Sequence, residues 1–446
     1  MEKNLTSGSV FKNIIFFSLP YLLSYFLQTL YGMADLLIIG IFGKVSDTTA
    51  VSVGSQIMHM ITVIIVGLAM GTTVSIAQAV GAKENKKASL VIGNTALIFF
   101  IFSVILTAVL VCLIDPIVAA MSTPAQAVGK TADYLTVCIL GIPFITAYNV
   151  ISSVFRGMGD SKSPMYFIGA ACFFNIVLDF VFMGALNMGP SGAALGTTLS
   201  QALSVVLSLI FILRKNSGIV IKKSDFKPKK DIILKILKIG IPIACQDGLI
   251  QIAFIVITVI ANLRGLTDSA AVGIVEKIIS FLFLVPSTML STVSALGAQN
   301  IGAKKPRRAA LTLKYALFIA AGFGIIVSIL IQFISGPVVS LFTDDKKVIF
   351  SGSQYLRGYI FDCIFAGIHF SFSGYFCAIG RSELSFIHNI LSIALVRIPA
   401  VFLTSKLFAD TLFPMGLATA AGSLVSVIIC LIMFSILKAR QAAKSL

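Results

Sequence analysis

The sequence predicts an all-α integral membrane protein with twelve transmembrane helices in two six-helix lobes, related by pseudo-two-fold symmetry. Three observations predict this. Of its 446 residues, 57% are hydrophobic and only 12% are charged, where soluble chains carry about 25% charged residues. Apolar runs of about 20 residues, long enough to cross a bilayer, recur along the whole chain. The third observation is an internal repeat, described below.

The spans follow in order. The start, MEKNLTSGSVFKN, is polar, and the apolar run after it is too long for a signal-peptide core, so the first span, 12–40, is expected to remain in the mature protein. Spans 49–79 and 90–114 follow; the latter contains IGNTALIFFIFSVILTAVLVCLI, without a charge. Spans 129–156, 163–185 and 191–213 complete the first half. Short polar turns with Gly, Pro, Asp and Lys separate these runs. The one longer connection, Lys215–Lys235, contains KKSDFKPKK. It divides the chain into an N-terminal lobe at 1–213, a basic linker at 214–235 and a C-terminal lobe at 236–446. The second half supplies spans 236–261, 269–299, 310–334, 348–378, 384–408 and 414–438. Several are longer than a crossing requires, which predicts tilt or projection beyond the bilayer.

The halves repeat each other. AQAVGAK at 77–83 returns as AQNIGAK at 298–304, and the same offset carries Pro116 to Pro337, Tyr134–Leu135 to Tyr355–Leu356 and Gly159 to Gly380. Pro20 pairs with Pro242 at an offset one residue longer. A constant register over several segments indicates a duplicated six-helix unit. Six is even, so both copies enter the membrane in the same direction, with the pseudo-two-fold axis along the membrane normal. That architecture suits alternating access through a cavity between the lobes.

The net charge is +16, yet its distribution argues against a nucleic-acid partner. Lys and Arg crowd the termini and one alternate set of loops. The opposite set holds only Lys44, Lys130, Arg264, Lys346, Lys347 and Lys406. This asymmetry is topology: it puts both termini in the cytoplasm of a protein in the cell membrane. The seven cysteines show no C-x-x-C spacing and read as small apolar residues. No G-x-x-x-x-G-K-[ST] loop is present, so ATP is not the expected energy source. No H-E-x-x-H or G-x-S-x-G motif occurs, and His59, His369 and His388 are too dispersed for a metal centre. The chain therefore does not read as an enzyme, and it needs no cofactor.

A carboxylate inside a membrane helix costs about 2.5–3.5 kcal/mol and usually marks function. Asp35 lies in the first span, within LQTLYGMADLLIIG, and Asp179 in the fifth, within FFNIVLDFVFMG. Asn175 is four residues before Asp179, on the same helix face. The sixth span opens with GPSGAALGTTLSQ, which offers Thr197 and Thr198. Two carboxylates, an amide and a hydroxyl form an all-oxygen set suited to Na⁺ or a proton. The alternative is that they only hydrogen-bond helices together. Candidate substrate contacts are Gln28 and Tyr31 in span 1, Gln56 near His59 in span 2, and Asp247 and Gln251 in span 7, just after Pro242. Asp362 and His369 join them from one face of span 10. Amides and aromatic rings suit small organic cations. Glu276, beside Lys277, reads as an interfacial residue.

These features resemble the multidrug and toxic compound extrusion transporters. The resemblance covers nearly the whole chain. It rests on the duplicated six-helix layout, on AQAVGAK and AQNIGAK, on FRGMGDSKSP (155–164) and on NIVLD (175–179). It implies export of drugs or cationic metabolites by a monomer in membrane lipid, with Na⁺ or H⁺ as the coupling ion. It implies a helix-bending role for Pro20 and a cation site at Asp35, Asn175, Asp179 and Thr197. Some members have a glutamate in the seventh helix; here Gln251 stands near that place and Asp247 one turn earlier. A lipid-linked oligosaccharide flippase of the same superfamily is the alternative. It would need several arginines for pyrophosphate, and the spans hold few.

Overall fold

The computed structural model describes residues 5–214, 219 and 221–443. Residues 215–218 and 220 of the expected linker, and the extreme ends of the chain, lie outside the described residues. Every regular element among the described residues is helical. Ten helices are long and apolar enough to cross a membrane, or twelve when each of two bent helix pairs counts as one span.

The first half comprises α1 (Val10–Phe42), α2 (Val45–Gly81), α3 (Asn85–Cys112), α4 (Ile114–Ala120), α5 (Val128–Leu140), α6 (Ile142–Gly157), α7 (Lys162–Asp179) and α8 (Gly189–Arg214). The second comprises α9 (Lys230–Asn262), α10 (Leu266–Leu282), α11 (Leu284–Gly302), α12 (Pro306–Ser340), α13 (Lys346–Tyr359), α14 (Asp362–Ala378), α15 (Glu383–Ser392), α16 (Ile398–Leu407) and α17 (Phe413–Ala443). The twelve expected spans all appear, with their polar boundaries shifted by a few residues. Spans 4 and 10 differ from expectation by being broken. α5 and α6 meet at 46°, and α13 and α14 meet at 41°.

The repeat seen in the sequence recurs in the backbone. Lys83 and Lys304, equivalent in the duplicated motif, both adopt left-handed φ values of 60° and 58°. Gly159 and Gly380 do the same at 88° and 74°. The bends also correspond, since Gly141 at the first break and Asp362 at the second are separated by the repeat offset. A third irregularity occurs in both halves. A π-turn at Phe180–Ala185 continues α7, and another at Ile393–Arg397 joins α15 to α16. Such turns often lie at functional sites. Asp179 immediately precedes the first, and Arg397 ends the second.

The chain divides into two compact units. Unit 1 is formed mainly by residues 15–244 and unit 2 mainly by 245–301 and 305–446. In unit 1, Ile39, Val51, Ile65, Leu135 and Ile139 belong to the buried apolar core. In unit 2, Val272, Ile279, Tyr355, Tyr359 and Val401 do so. Within unit 2, α13 and α17 cross with their backbones in contact. A side chain on Gly358 would strike the Phe413 carbonyl, and one on Gly416 would strike the Tyr355 carbonyl. Small residues at such crossings provide the close packing that holds membrane helices together.

The described part of the linker is anchored to unit 1. Asn94, fully buried in α3, donates from Nδ2 to the carbonyls of Asp225 (3.2 Å) and Lys227 (3.3 Å), and its Oδ1 accepts from the Lys229 amide at 2.7 Å. Asn94→Ala removes these three bonds and leaves the buried Asp225 carbonyl without this donor, at about 1–3 kcal/mol for an unsatisfied buried group. The expected result is faster trypsin cleavage at Lys223 and Lys230 with the remainder of the protein intact. Unchanged cleavage would show that the anchor is not what holds this segment.

Candidate functional site

Unit 1 brings together the four residues expected to hold a cation. Asp35 lies in the second half of α1, Asn175 and Asp179 at the end of α7, and Thr197 in α8. Thr197 Oγ1 donates to Asp35 Oδ2 at 2.9 Å. Asp179 and Asn175 face the same Asp35 carboxylate. Asp35, Asn175 and Asp179 are 3%, 1% and 0% exposed. The four-residue spacing within α7 puts Asn175 and Asp179 on one face, one turn apart.

Gly196 of α8 makes this approach possible. A Cβ built there would fall well inside contact distance of Asp179 Oδ1 and 3.7 Å from Asn175 Nδ2. Only a residue without a side chain leaves room for the carboxylate.

The cluster is rich in polar atoms that lack partners. Asp35 Oδ1, both Asp179 oxygens, and the oxygen and nitrogen of Asn175 are buried without a hydrogen bond. Buried polar groups are normally satisfied, so such a concentration calls for a ligand. The unpartnered acceptors are carboxylate and amide oxygens, the donors that hard cations prefer. Two facing carboxylates repel when both are ionised, and a cation or proton between them relieves that repulsion. Among the described residues, no group of three or more His, Cys, Asp or Glu side chains could hold a metal ion.

Tyr31, expected to touch substrate, sits within electrostatic reach of Asp35. Its hydroxyl accepts from Gln201 Nε2 at 3.2 Å. It therefore adjoins the cluster of Asp35, Asn175, Asp179 and Thr197. Gln28, one turn earlier on α1, is half-buried, and Gln56 on α2 is exposed. Pro20 is inside α1, and its carbonyl accepts from Ser24 Oγ at 2.9 Å.

A family model described as MatE matches residues 20–181 and, a second time, residues 242–403. The chain belongs to the MatE family. The two matches coincide with the duplicated halves. Among curated relatives of this MatE chain, the probable multidrug resistance protein YpnP of Bacillus subtilis is 27% identical over 402 residues, covering 90% of each chain. The multidrug export protein MepA of Staphylococcus saprophyticus is 26% identical over 407 residues, covering 91% of this chain and 89% of the relative. A crystal structure of MATE in complex with MaL6 superposes with a TM-score of 0.90 at 24% identity, covering 98% of this chain and 99% of the other. A MOP superfamily transporter from Pyrococcus furiosus gives 0.91 at 23% identity, covering 98% and 97%. These neighbours fix the fold: twelve membrane helices in two lobes.

The remaining expected contacts of the MatE chain lie in unit 2. Asp247 is half-buried beside Gln246 and within electrostatic reach of Cys377. Gln251, one turn later on α9, is also half-buried. Asp362 is fully buried, and its Oδ2 forms an ion pair with Arg397 Nη2 at 2.9 Å. Arg397 Nη2 also donates to the Tyr359 hydroxyl at 2.9 Å. Asp362 thus already has a cationic partner within its own unit. His369 lies edge-on to Phe370, with ring centroids 4.9 Å apart, and 5.5 Å from His388. The His388 nitrogens in turn lie 2.9 Å from Ser373 Oγ and 2.6 Å from Ser426 Oγ.

Reading the sequence missed Gly196, Gln201 and the partnership of Arg397. Gln201 stands four residues after Thr197, so its face was legible. Arg397 is a lone charge in the run ALVRIPAVF, and such a charge must find a partner in the membrane. Nothing in the sequence marks Gly196 apart from the other glycines.

Proposed function

We propose that this MatE-family chain is a secondary exporter of drugs or other small organic cations, driven by exchange for Na⁺ or H⁺. The names of its relatives, multidrug resistance and multidrug export proteins, support the substrate class. One observation carries the coupling site: the buried, unpartnered oxygens of Asp35, Asn175 and Asp179, drawn together from α1 and α7 next to Thr197.

The cation enters between Asp35 and Asp179, where it satisfies the free oxygens and removes their mutual repulsion. Asn175 supplies its amide oxygen, and Thr197 fixes the orientation of Asp35. Filling the site pulls α1 toward α7 and α8, with Pro20 providing the point at which α1 bends. A cation bound more tightly in one state than the other shifts the equilibrium between them, and that difference is the coupling. The membrane potential adds about 2.3 kcal/mol per charge per 100 mV. Gln28, Tyr31 and Gln56 in unit 1, and Asp247, Gln251, Asp362 and His369 in unit 2, are the proposed substrate contacts, Asp362 through the oxygen that Arg397 does not engage. The protein acts as a monomer in the cell membrane with both termini in the cytoplasm, as the positive-inside pattern requires. A flippase for lipid-linked oligosaccharide would need free cationic side chains for pyrophosphate, whereas Arg397 is engaged by Asp362.

Ethidium efflux from energised vesicles, with Na⁺ and pH gradients imposed separately, tests the proposal. Wild type should export the dye under one gradient, which names the ion. Asp35→Asn should insert normally and lose gradient-driven export. Export retained in Asp35→Asn would remove the coupling site.

A further inference from the structure

Unit 2 carries an unpaired cation on a membrane helix, on a face unlike those that meet lipid. Lys277 lies on α10 about 16 Å from Leu266, at about 1.5 Å per residue, which is deep for a hydrocarbon core about 30 Å thick. The sequence placed its neighbour Glu276 at the membrane interface. In the structure the two side chains diverge. Glu276 is half-buried and accepts from Thr258 Oγ1 of α9 at 3.0 Å, whereas Lys277 is exposed. Among the described residues, the ion pairs of unit 2 are Arg264–Asp268, Arg381–Glu383 and Arg397–Asp362, and Lys277 takes part in none.

The exposed face of α10 differs from a lipid-facing one. On α12 that face presents Phe318, Ile325, Ile329 and Phe333. The exposed positions of α10 are Leu266, at its start, and then Ala270, Lys277 and Ser280. A Cβ on Gly273, one turn before Lys277, would meet nothing within 4 Å. Small residues, a hydroxyl and an ammonium facing open space describe the wall of an aqueous passage, because a lysine turned to hydrocarbon is strongly disfavoured. The duplication supports this. The offset that carries Pro116 to Pro337 also carries Val45, Gln56 and His59 of α2 to Leu266, Lys277 and Ser280. All three α2 residues are exposed as well, and Gln56 is already a proposed substrate contact. Lys277 is its counterpart in the second copy, with a charge in place of an amide.

We propose that Lys277 binds an anionic group of the transported molecule, a carboxylate or sulfonate, so that unit 2 favours zwitterionic compounds over purely cationic ones. An ammonium is a compact point charge with three donors. It matches one carboxylate and lacks the paired arginine forks that a pyrophosphate calls for. Its depth along α10 sets it away from lipid headgroups, which commits it to a small molecule in the passage. Asp247, half-buried in the same unit, is the proposed contact for the cationic end. The part of Lys277 in export rests on the reading above; its affinity for an anionic group does not.

Rhodamine B and its ethyl ester test this, since they share one cationic ring system and differ in a single free carboxylate. Binding to the purified full-length chain, followed by fluorescence anisotropy, should favour rhodamine B. Lys277→Gln should lower the ratio of the two affinities about tenfold, as expected for losing a hydrogen bond between charged groups. Lys277→Arg, which keeps the charge, should retain most of the ratio. If energised vesicles export neither dye while the ratio still falls in Lys277→Gln, the export reading fails and the anion site stands. A ratio in Lys277→Gln equal to that of wild type would overturn the proposal. So would equal weakening of both dyes, since Lys277 would then serve the fold and not the carboxylate. Displacement of rhodamine B but not of its ester by phosphatidylglycerol would overturn it too, because a lipid phosphate would then be the ligand.

Discussion

Gly196→Ala is expected to reduce the proposed cation-driven export on the order of a hundredfold while leaving the protein at least as stable as wild type. The two effects separate because they act through different atoms. Within helix α8 alanine is favoured over glycine by about 1 kcal/mol. The new methyl group, however, falls on Asp179 Oδ1, so the carboxylate must retreat by about 1 Å. It can do so, being the end of a side chain, and the helices need not separate. What is lost is convergence on Asp35: a binding geometry displaced by about 1 Å costs up to about a hundredfold. Export under an imposed gradient, measured beside thermal stability in detergent, checks both halves. Full export in Gly196→Ala would mean that Asp179 need not stand where it does. Loss of both export and stability would mean that Gly196 serves helix packing instead.

Arg397→Met is expected to destabilise unit 2 by about 3–5 kcal/mol, the range for removing one partner of a buried ion pair. Asp362 would then be a fully buried carboxylate without its cation, and the Tyr359 hydroxyl would lose a donor. Pairing the change with Asp362→Asn removes the stranded charge, so the double variant should recover most of the loss. The protein carries its own reporter. Cys363, Cys377 and Cys430 are free and buried in unit 2, so a thiol-reactive fluorescent probe should label Arg397→Met at lower temperature than wild type. A double variant no more stable than Arg397→Met would show that Arg397 contributes packing rather than charge compensation.

The two clusters differ in how legible they were. Asp35, Asn175 and Asp179 stood out because charge and amide are rare in apolar runs, and because the four-residue spacing fixes a helix face. Asp362 stood out for the same reason, but its ion pair with Arg397 did not. Its partner lies on another helix, and no periodicity within one segment reports which neighbour a side chain meets. Glu276 was read by its position near a helix end and beside Lys277. Its Oε2 accepts a hydrogen bond from Thr258 of α9 at 3.0 Å, a partner that the position in the sequence does not report.

The sequence by itself determined the class, the number of spans and the duplication. All of these follow from hydropathy and from repetition along the chain, which are properties of residue order. The repeat extends to backbone detail, since Lys83 and Lys304 share a left-handed conformation in matching motifs. Only the tertiary structure decided which charges are left unpartnered. In hydrocarbon nearly every polar atom must be satisfied from within the protein. Whether a given carboxylate is depends on how its helix is rotated against its neighbours, and on whether a glycine such as Gly196 lets another chain segment come near. Rotation and approach are set by packing, and so the line between the paired Asp362 and the open oxygens of Asp35 and Asp179 was drawn by the fold.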